Sequence, residues 1–303
     1  MDTVLVTGGA GFIGSNIVDR LIKNGDKVII IDNLSTGKKE NINKKAIFYE
    51  KDIRDKSIEE VFDVERPKYV IHHAAQIDVQ QSIENPVLDG DINILGTINI
   101  LENCKKYDVK KIIYASSAGV YGEPEYLGID EKHSVKPISN YGISKLTPEH
   151  YIRTYSQIYG LKYTILRYSN VYGIRQDPKG EGGVVSIFMD KMFNKENPII
   201  FGDGSQTRDF IYVDDVVEAN ILALQKGDNQ IFNIGTSVAT SIKELFDIMN
   251  SIIGYNLKID YSQWRKGDII HSYFNISKAK NKLDWTPKYS LEKGINIVIN
   301  YYK

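Results

Sequence analysis

The first half of the chain alternates short, almost wholly apolar runs with longer segments whose apolar residues recur at helical spacing. Val4-Leu5-Val6, Val28-Ile29-Ile30-Ile31, Ala46–Glu50, Tyr69–His72, Lys111–Ala115 and Tyr163–Arg167 are the apolar runs. A run without polar alternation predicts a strand covered on both faces, as in a parallel sheet. Between the runs, helices are predicted from Ile13 to Ile22, from Ser57 to Phe62, from Pro86 to about Tyr107, and from Asn140 to Tyr159. Strand and helix in this alternation predict an α/β fold with a doubly wound parallel sheet. The rhythm changes after residue 173. A Gly-, Asp- and Lys-rich stretch over 175–183 predicts a loop into a smaller mixed α/β lobe. That lobe has predicted helices over Val184–Phe193, Asp214–Leu224 and Ser241–Ile253, with a last one from near Ser290. Its short strands fall at Pro198–Phe201, Asp209–Val213 and Ile231–Gly235, with Lys258–Tyr261 extended. The predicted division is 1–173 and 174–303, with segments near 209–225 returning to the first part.

The first strand ends at Thr7-Gly8-Gly9-Ala10-Gly11-Phe12-Ile13-Gly14 and the second at Asp32. Glycines at 8, 11 and 14 suit a tight turn, a close backbone approach to pyrophosphate at a helix N-terminus, and tight helix–strand packing. Asp32, eighteen residues after Gly14, is placed to accept hydrogen bonds from an adenosine ribose, and its charge repels a 2′-phosphate. The pattern is that of a Rossmann-type dinucleotide site, with NAD favoured over NADP. The fourth strand opens onto the small residues of His73-Ala74-Ala75. The fifth carries Ser116-Ser117 at its carboxyl end, where ligands bind in open parallel sheets, so both serines are expected to face the site.

Tyr141 and Lys145 are four residues apart on a predicted helix and so share a face. A lysine ammonium beside a phenol favours the phenolate, and such a pair is a candidate general base tuned toward neutral pH. Pro148 falls inside the same helix, where it removes one hydrogen bond and predicts a kink beyond the catalytic turn.

Composition narrows the picture. The net charge of −1 gives no general attraction to nucleic acid or membrane, and no apolar run approaches the length of a membrane span. One cysteine, Cys104, excludes an intrachain disulfide and a four-cysteine metal site. No leader pattern precedes the first strand, which gives the expectation of a cytoplasmic protein without a resident metal.

These segments together resemble the extended short-chain dehydrogenase/reductases, most closely the nucleotide-sugar 4-epimerases of the UDP-glucose (UDP-galactose) type. The resemblance runs almost end to end. It rests on the glycine motif, Asp32-Asn33-Leu34, Asp52-Ile53, His73-Ala74-Ala75, Asn93-x-x-Gly96-Thr97, Ser116–Gly122, Tyr141-x-x-x-Lys145, Arg167–Asn170, Arg208–Asp215 and Arg265-x-Gly267-Asp268. It implies an NAD-dependent C4 epimerase interconverting UDP-glucose and UDP-galactose, with Tyr141 as base, Lys145 as its partner and Ser117 as proton relay. It implies a cofactor site formed by Gly8, Gly11, Phe12, Ile13, Gly14, Asp32, Asn33, Ser35, Asp52, Ile53, His73, Ala74, Ala75, Asn93, Ser116, Tyr141, Lys145 and Tyr168. The implied substrate residues are Ser117, Tyr141, Asn170, Val184, Ile199, Phe201, Arg208, Arg265, Asp268 and Ser272. A homodimer through the helices near 86–107 and 142–158 is implied as well, consistent with apolar positions on more than one face of the first.

Departures from related enzymes sharpen the expectation. The 4,6-dehydratases carry an Asp-Glu pair after the serine or threonine, and UDP-glucuronate decarboxylases a glutamate in this stretch; here the residues are Ala118-Gly119. Ser272 stands where members restricted to unmodified hexoses often have tyrosine, which leaves room for an N-acetyl group. The alternatives left open are an epimerase or reductase on UDP-glucuronate or a dTDP- or CDP-sugar, and a non-catalytic NAD-binding regulator.

Overall fold

The computed structural model describes residues 2–178, 183–264 and 269–303. The first runs form β1 (Thr3–Thr7), α1 (Phe12–Lys23), β2 (Lys27–Asp32), β3 (Ile47–Glu50), α2 (Ile58–Glu65) and β4 (Tyr69–His72). The next stretch is more broken than the sequence pattern implies. It comprises α3 (Val79–Glu84), α4 (Pro86–Gly90), a π-helical turn over Asp91–Leu95, and α5 (Gly96–Lys106). Helix α3 has no apolar stripe to announce it; Asp78 caps it by accepting from the Gln80 and Gln81 amides. The π turn holds Asn93, a side chain bonded to Gln76, Asp89 and Ser144 on three other segments, and such single-turn bulges are common at functional sites.

Then follow β5 (Lys111–Ser117), α6 (Asn140–Tyr159), β6 (Lys162–Tyr168) and β7 (Asn170–Tyr172). Helix α6 starts where Ser139 accepts the Gly142 amide, passes Pro148 without interruption, and stops at Gly160 in the left-handed region. The later elements are α7 (Val184–Phe193), β8 (Ile199–Phe201), β9 (Thr207–Arg208), β10 (Phe210–Tyr212), α8 (Val213–Gln225), β11 (Gln230–Ile234), β12 (Thr240–Ser241), α9 (Ile242–Ile253), β13 (Asp260–Ser262) and α10 (Leu291–Tyr302).

Seven strands form one parallel sheet in the order β11-β6-β5-β4-β1-β2-β3. The strand order reverses between β1 and β4, and that switch point is where an open α/β sheet has its binding crevice. Alternate side chains feed two cores. Val4, Val6, Ile30, Ile71 and Leu166 pack with Ile17 and Leu21 of α1 and Val216 of α8. Leu5, Ile29, Ile31, Val70 and Ile165 pack with Phe62, Ile100, Leu101 and Ile152 on the other face. Covering both faces explains why the strands read as continuous apolar runs. Strand β11, grouped with the later lobe in the sequence pattern, is the seventh strand of this sheet, in register beside β6. Its apolar residues predict a strand but carry no information about its neighbour. The remaining strands pair as β10 with β7, β12 with β9, and β13 with β8.

Candidate active site

The crevice begins at the end of β1. Gly8 has φ +70°, a conformation that costs glycine nothing, and a Cβ on Gly14 would lie 2.1 Å from the Gly8 carbonyl oxygen. These contacts seat the start of α1 directly against the turn. Gly11 begins α1 without a side-chain cap, so the first-turn amides, including those of Phe12 and Ile13, are free of any side-chain acceptor. At the end of β2, Asp32 accepts from the Ala10 amide at 2.9 Å and the Leu34 amide at 2.8 Å, and burial raises its carboxyl pKa. Each oxygen keeps a lone pair for a further donor. Asn33 donates to Asp52, whose carboxylate Arg54 holds down at about 2, while the Ser35 amide bonds the Asn33 side chain. Ile53 is buried beneath them. Thr7 Oγ1 receives the amides of His73 and Ala74, which fixes the His73–Ala75 loop across the switch point.

The chemistry-bearing groups converge at the end of β5. Ser117 Oγ accepts the Gly119 amide at 3.1 Å and interacts with the Tyr141 hydroxyl. Gly142 makes this approach possible, because a Cβ there would lie 2.5 Å from the Gly119 carbonyl oxygen. The Tyr141 amide donates to Ser82 Oγ at 3.1 Å, and Asn140 donates to the Ser82 carbonyl. Helix α3, invisible in the sequence pattern, therefore anchors the first turn of α6. Lys145 is 4% exposed, and its Nζ lies 4.7 Å from the centre of the Tyr114 ring.

The protein by itself does not produce the phenolate expected from the Tyr141–Lys145 spacing. Burial dominates and raises the Tyr141 pKa, with Ser117 opposing and the Asp89 charge adding to the rise. Burial likewise pushes Lys145 down to about 8, opposed by Glu149 and then Asp89. A cation brought into the site supplies what the protein lacks, since positive charge lowers a phenol's pKa.

Ser116 corrects a second expectation. Adjacent strand residues point to opposite faces, and its hydroxyl donates 2.6 Å to Glu149 Oε1, away from Ser117. Glu149 also receives Arg167 Nε at 2.9 Å and Nη2 at 2.5 Å in a buried fork. Asn93 is 2% exposed, and its amide is engaged with Gln76, Asp89 and Ser144. Tyr168 accepts from Asn220 at 2.8 Å, and its ring lies tilted against His73 with centroids 5.8 Å apart. Among the described residues, the buried Ser169 hydroxyl has no hydrogen-bond partner.

Of the substrate residues, Asn170 is exposed at the start of β7, Val184 opens α7, and Ile199 and Phe201 flank the ends of β8. Arg208 on β9 donates to the Thr207 carbonyl at 2.8 Å, and the Ser272 amide donates to that same carbonyl at 3.2 Å. Arg265 and Asp268 lie outside the described residues. Asp89, Ser82, Glu149 and Ser169 escaped the sequence reading. Asp89 lies four residues before Asn93 and Glu149 four after Lys145, a helical spacing that could have flagged both.

An uncapped helix start at a switch point, an acid ending β2, and a Tyr–Lys helix held against a strand-end serine define a nicotinamide-dinucleotide enzyme of the short-chain dehydrogenase/reductase class. Comparison with known proteins specifies the family: residues 4–235 match the model of the NAD dependent epimerase/dehydratase family, and the chain belongs to it. A Methanocaldococcus jannaschii protein provisionally named a UDP-glucose 4-epimerase is 57% identical over 301 residues, 99% of this chain and 98% of its own. The structure of a Thermotoga maritima UDP-glucose 4-epimerase with UDP-glucose superposes with TM-score 0.97 at 50% identity, covering 99% of this chain and 98% of that one. That of a Thermus thermophilus UDP-glucose 4-epimerase in complex with NAD gives 0.94 at 41% identity, with the same coverage.

Proposed function

We propose that the protein is an NAD-dependent UDP-glucose 4-epimerase, interconverting UDP-glucose and UDP-galactose through a 4-keto sugar. The observation that carries this reading is the Ser117–Tyr141–Lys145 group set across the switch point from an uncapped helix start that suits a pyrophosphate. The residues fit the cofactor. The α1 amides would hold its pyrophosphate, Asp32 its adenosine ribose and Lys145 its nicotinamide ribose. Bound NAD would supply a reversible hydride acceptor for the sugar C4, so that no net redox change accumulates. Tyr141 takes the proton of the sugar 4-hydroxyl and later gives it back, with Ser117 hydrogen-bonding the same oxygen. Lys145, one helical turn from Tyr141, would favour the phenolate form while it is protonated. Gly119, whose Cβ would meet Ser117 Oγ and the Tyr141 ring at 3.5 Å, stands where the dehydratases place a carboxylate. Elimination of water therefore has no acid–base pair here.

The nucleotide-sugar lobe in this reading is the part after residue 173, less α8 and β11, which pack on or within the central sheet. Arg208 and Arg265 would grip the diphosphate. Asn170 would lie beside it, Val184, Ile199 and Phe201 would border the nucleotide, and Asp268 would accept from the ribose. Ser272, half-buried and small, leaves space beside the sugar. A panel of UDP-, dTDP-, GDP- and CDP-sugars incubated without added reductant and read by NMR is expected to give C4 epimers of UDP-glucose and also of UDP-N-acetylglucosamine. A 4-keto-6-deoxy or decarboxylated product would overturn the epimerase reading. Turnover of UDP-glucose with none of the N-acetylated sugar would overturn the Ser272 part alone.

The reading extends to a homodimer. Val87 on α4, Leu95 in the π turn, and Ile143, Tyr151 and Ile158 on α6 are exposed apolar side chains on neighbouring elements. Sedimentation at micromolar concentration is expected to give twice the 34.4 kDa chain mass; a monomer there removes the dimer. A cytoplasmic location also belongs to this reading, and activity found in the membrane or secreted fraction would contradict it. Among the described residues, no helix is long and apolar enough to cross a membrane.

A further inference from the structure

Three formally charged side chains of α6 and its surroundings are buried: Lys145, Glu149 and Arg167 are 4%, 2% and 4% exposed. Glu149 acts on Lys145 more strongly than any other carboxylate, but it shares its charge with the bidentate Arg167 fork. The other carboxylate acting on Lys145 is Asp89, on α4 and 2% exposed. Its Oδ1 accepts from Gln76 Nε2 at 2.9 Å and from Asn93 Nδ2 at 3.2 Å, both neutral amides. Asn93 continues to Ser144 Oγ at 2.9 Å, and Ser144, the residue before Lys145, donates to the Tyr141 carbonyl at 3.1 Å. One chain of hydrogen bonds thus runs from the carboxylate into the turn that carries both reacting side chains.

We propose that Asp89 is a positioning residue of the reaction centre: it is a counter-charge of Lys145 alongside Glu149, and through Asn93 and Ser144 it helps set the pH range in which the Tyr141–Lys145 pair works. Burial raises the Asp89 pKa, while the nearby Ser144 hydroxyl, the hydrogen bond from Gln76 and the Lys145 charge oppose the rise. Asp89 in turn helps keep Lys145 protonated against its own burial. The other titratable groups facing the pair do not substitute for it. His72 and His73, at the end of β4, are held neutral by burial, at about 3 and about 4. Tyr114 on β5 is buried and its pKa lies well above the ordinary value, and Glu149 is paired.

The proposal rests on the C4 chemistry above for its kinetic test and stands apart from it in a second one. In the NAD-loaded enzyme, where the cofactor's positive charge would bring the phenol below the ammonium, the acid limb of a bell-shaped kcat/KM profile reports Tyr141 losing its proton and the alkaline limb Lys145 losing its own. A negative charge strengthens proton binding at both groups, so Asp89→Asn is expected to move both limbs to lower pH, by about one unit. Asp89→Glu keeps the charge and is expected to keep the limbs in place even where its rate falls. Without substrate, the Lys145 Cε resonance of ¹³C-lysine-labelled protein, assigned by its loss in Lys145→Met, is expected to titrate at lower pH in Asp89→Asn. If Asp89→Asn does not fold, Asp89→Ser carries both measurements. Limbs and resonance that stay at their wild-type pH while the rate drops would show a merely structural Asp89 and overturn the proposal. A shifted resonance in a protein that does not turn over UDP-glucose would uphold Asp89 and count against the proposed substrate instead.

Discussion

Tyr141→Phe is expected to lose about 10²–10⁴-fold in turnover, the range that general acid–base groups contribute, while binding cofactor and UDP-sugar as before. The ring stays in its slot beside Ser117 and Gly119, and the backbone anchor to Ser82 does not involve the hydroxyl. Only the group that exchanges the proton is gone. Ser117, whose oxygen already accepts the Gly119 amide, has no tuned acidity to replace it. Calorimetric titration with the UDP-sugar, run alongside an epimerisation assay, separates binding from turnover. Near-normal turnover would remove Tyr141 from the base role and leave the C4 mechanism without its proton acceptor.

The second large effect concerns stability. Glu149→Ala is expected to destabilise the fold by about 3–5 kcal/mol, the cost of leaving a buried charge without its partner. Arg167 would then stand charged between β6 and α6, facing the Tyr121 ring 4.8 Å away, and the Ser116 hydroxyl would lose its acceptor. The double variant Glu149→Ala/Arg167→Met is expected to recover much of that loss, because the uncompensated charge goes with the arginine. Denaturant unfolding of the three proteins measures it. A double variant as unstable as the sum of its singles would mean that lost packing, not the orphaned charge, sets the cost.

Much of the fold is legible in the sequence for a local reason. The strands of a sheet covered on both faces must be apolar throughout, so β1, β2, β4, β5 and β6 can be placed within a residue or two. The bounds of α6 are readable because Ser139 caps its start and Gly160 ends it. Helix α3 and the π turn escape, since they lie at the protein surface and are held by side-chain bonds to distant residues rather than by an apolar stripe.

The candidate site divides in the same way. The glycine turn, Asp32, Tyr141 and Lys145 are readable because each acts through its spacing on one element. The direction of Ser116 is misjudged when the carboxyl end of a strand is treated as one place, whereas the pleat sends Ser116 to Glu149 and Ser117 to Tyr141. The electrostatics of the pair cannot be read at all. A lysine four residues from a tyrosine gives no measure of how deeply both are buried, and burial is the largest influence on each.

Local sequence is enough for the alternation of strands and helices, the turn that meets a pyrophosphate, and the pair of side chains suited to moving a proton, because each of these lies within one element or one turn. The assembled fold was needed to place β11 in the central sheet, to anchor the start of α6 on α3, and to bring the buried Asp89 carboxylate into the hydrogen-bond chain that reaches the Tyr141–Lys145 turn. Charge balance and burial depend on which distant residues are brought together, and no local pattern records that.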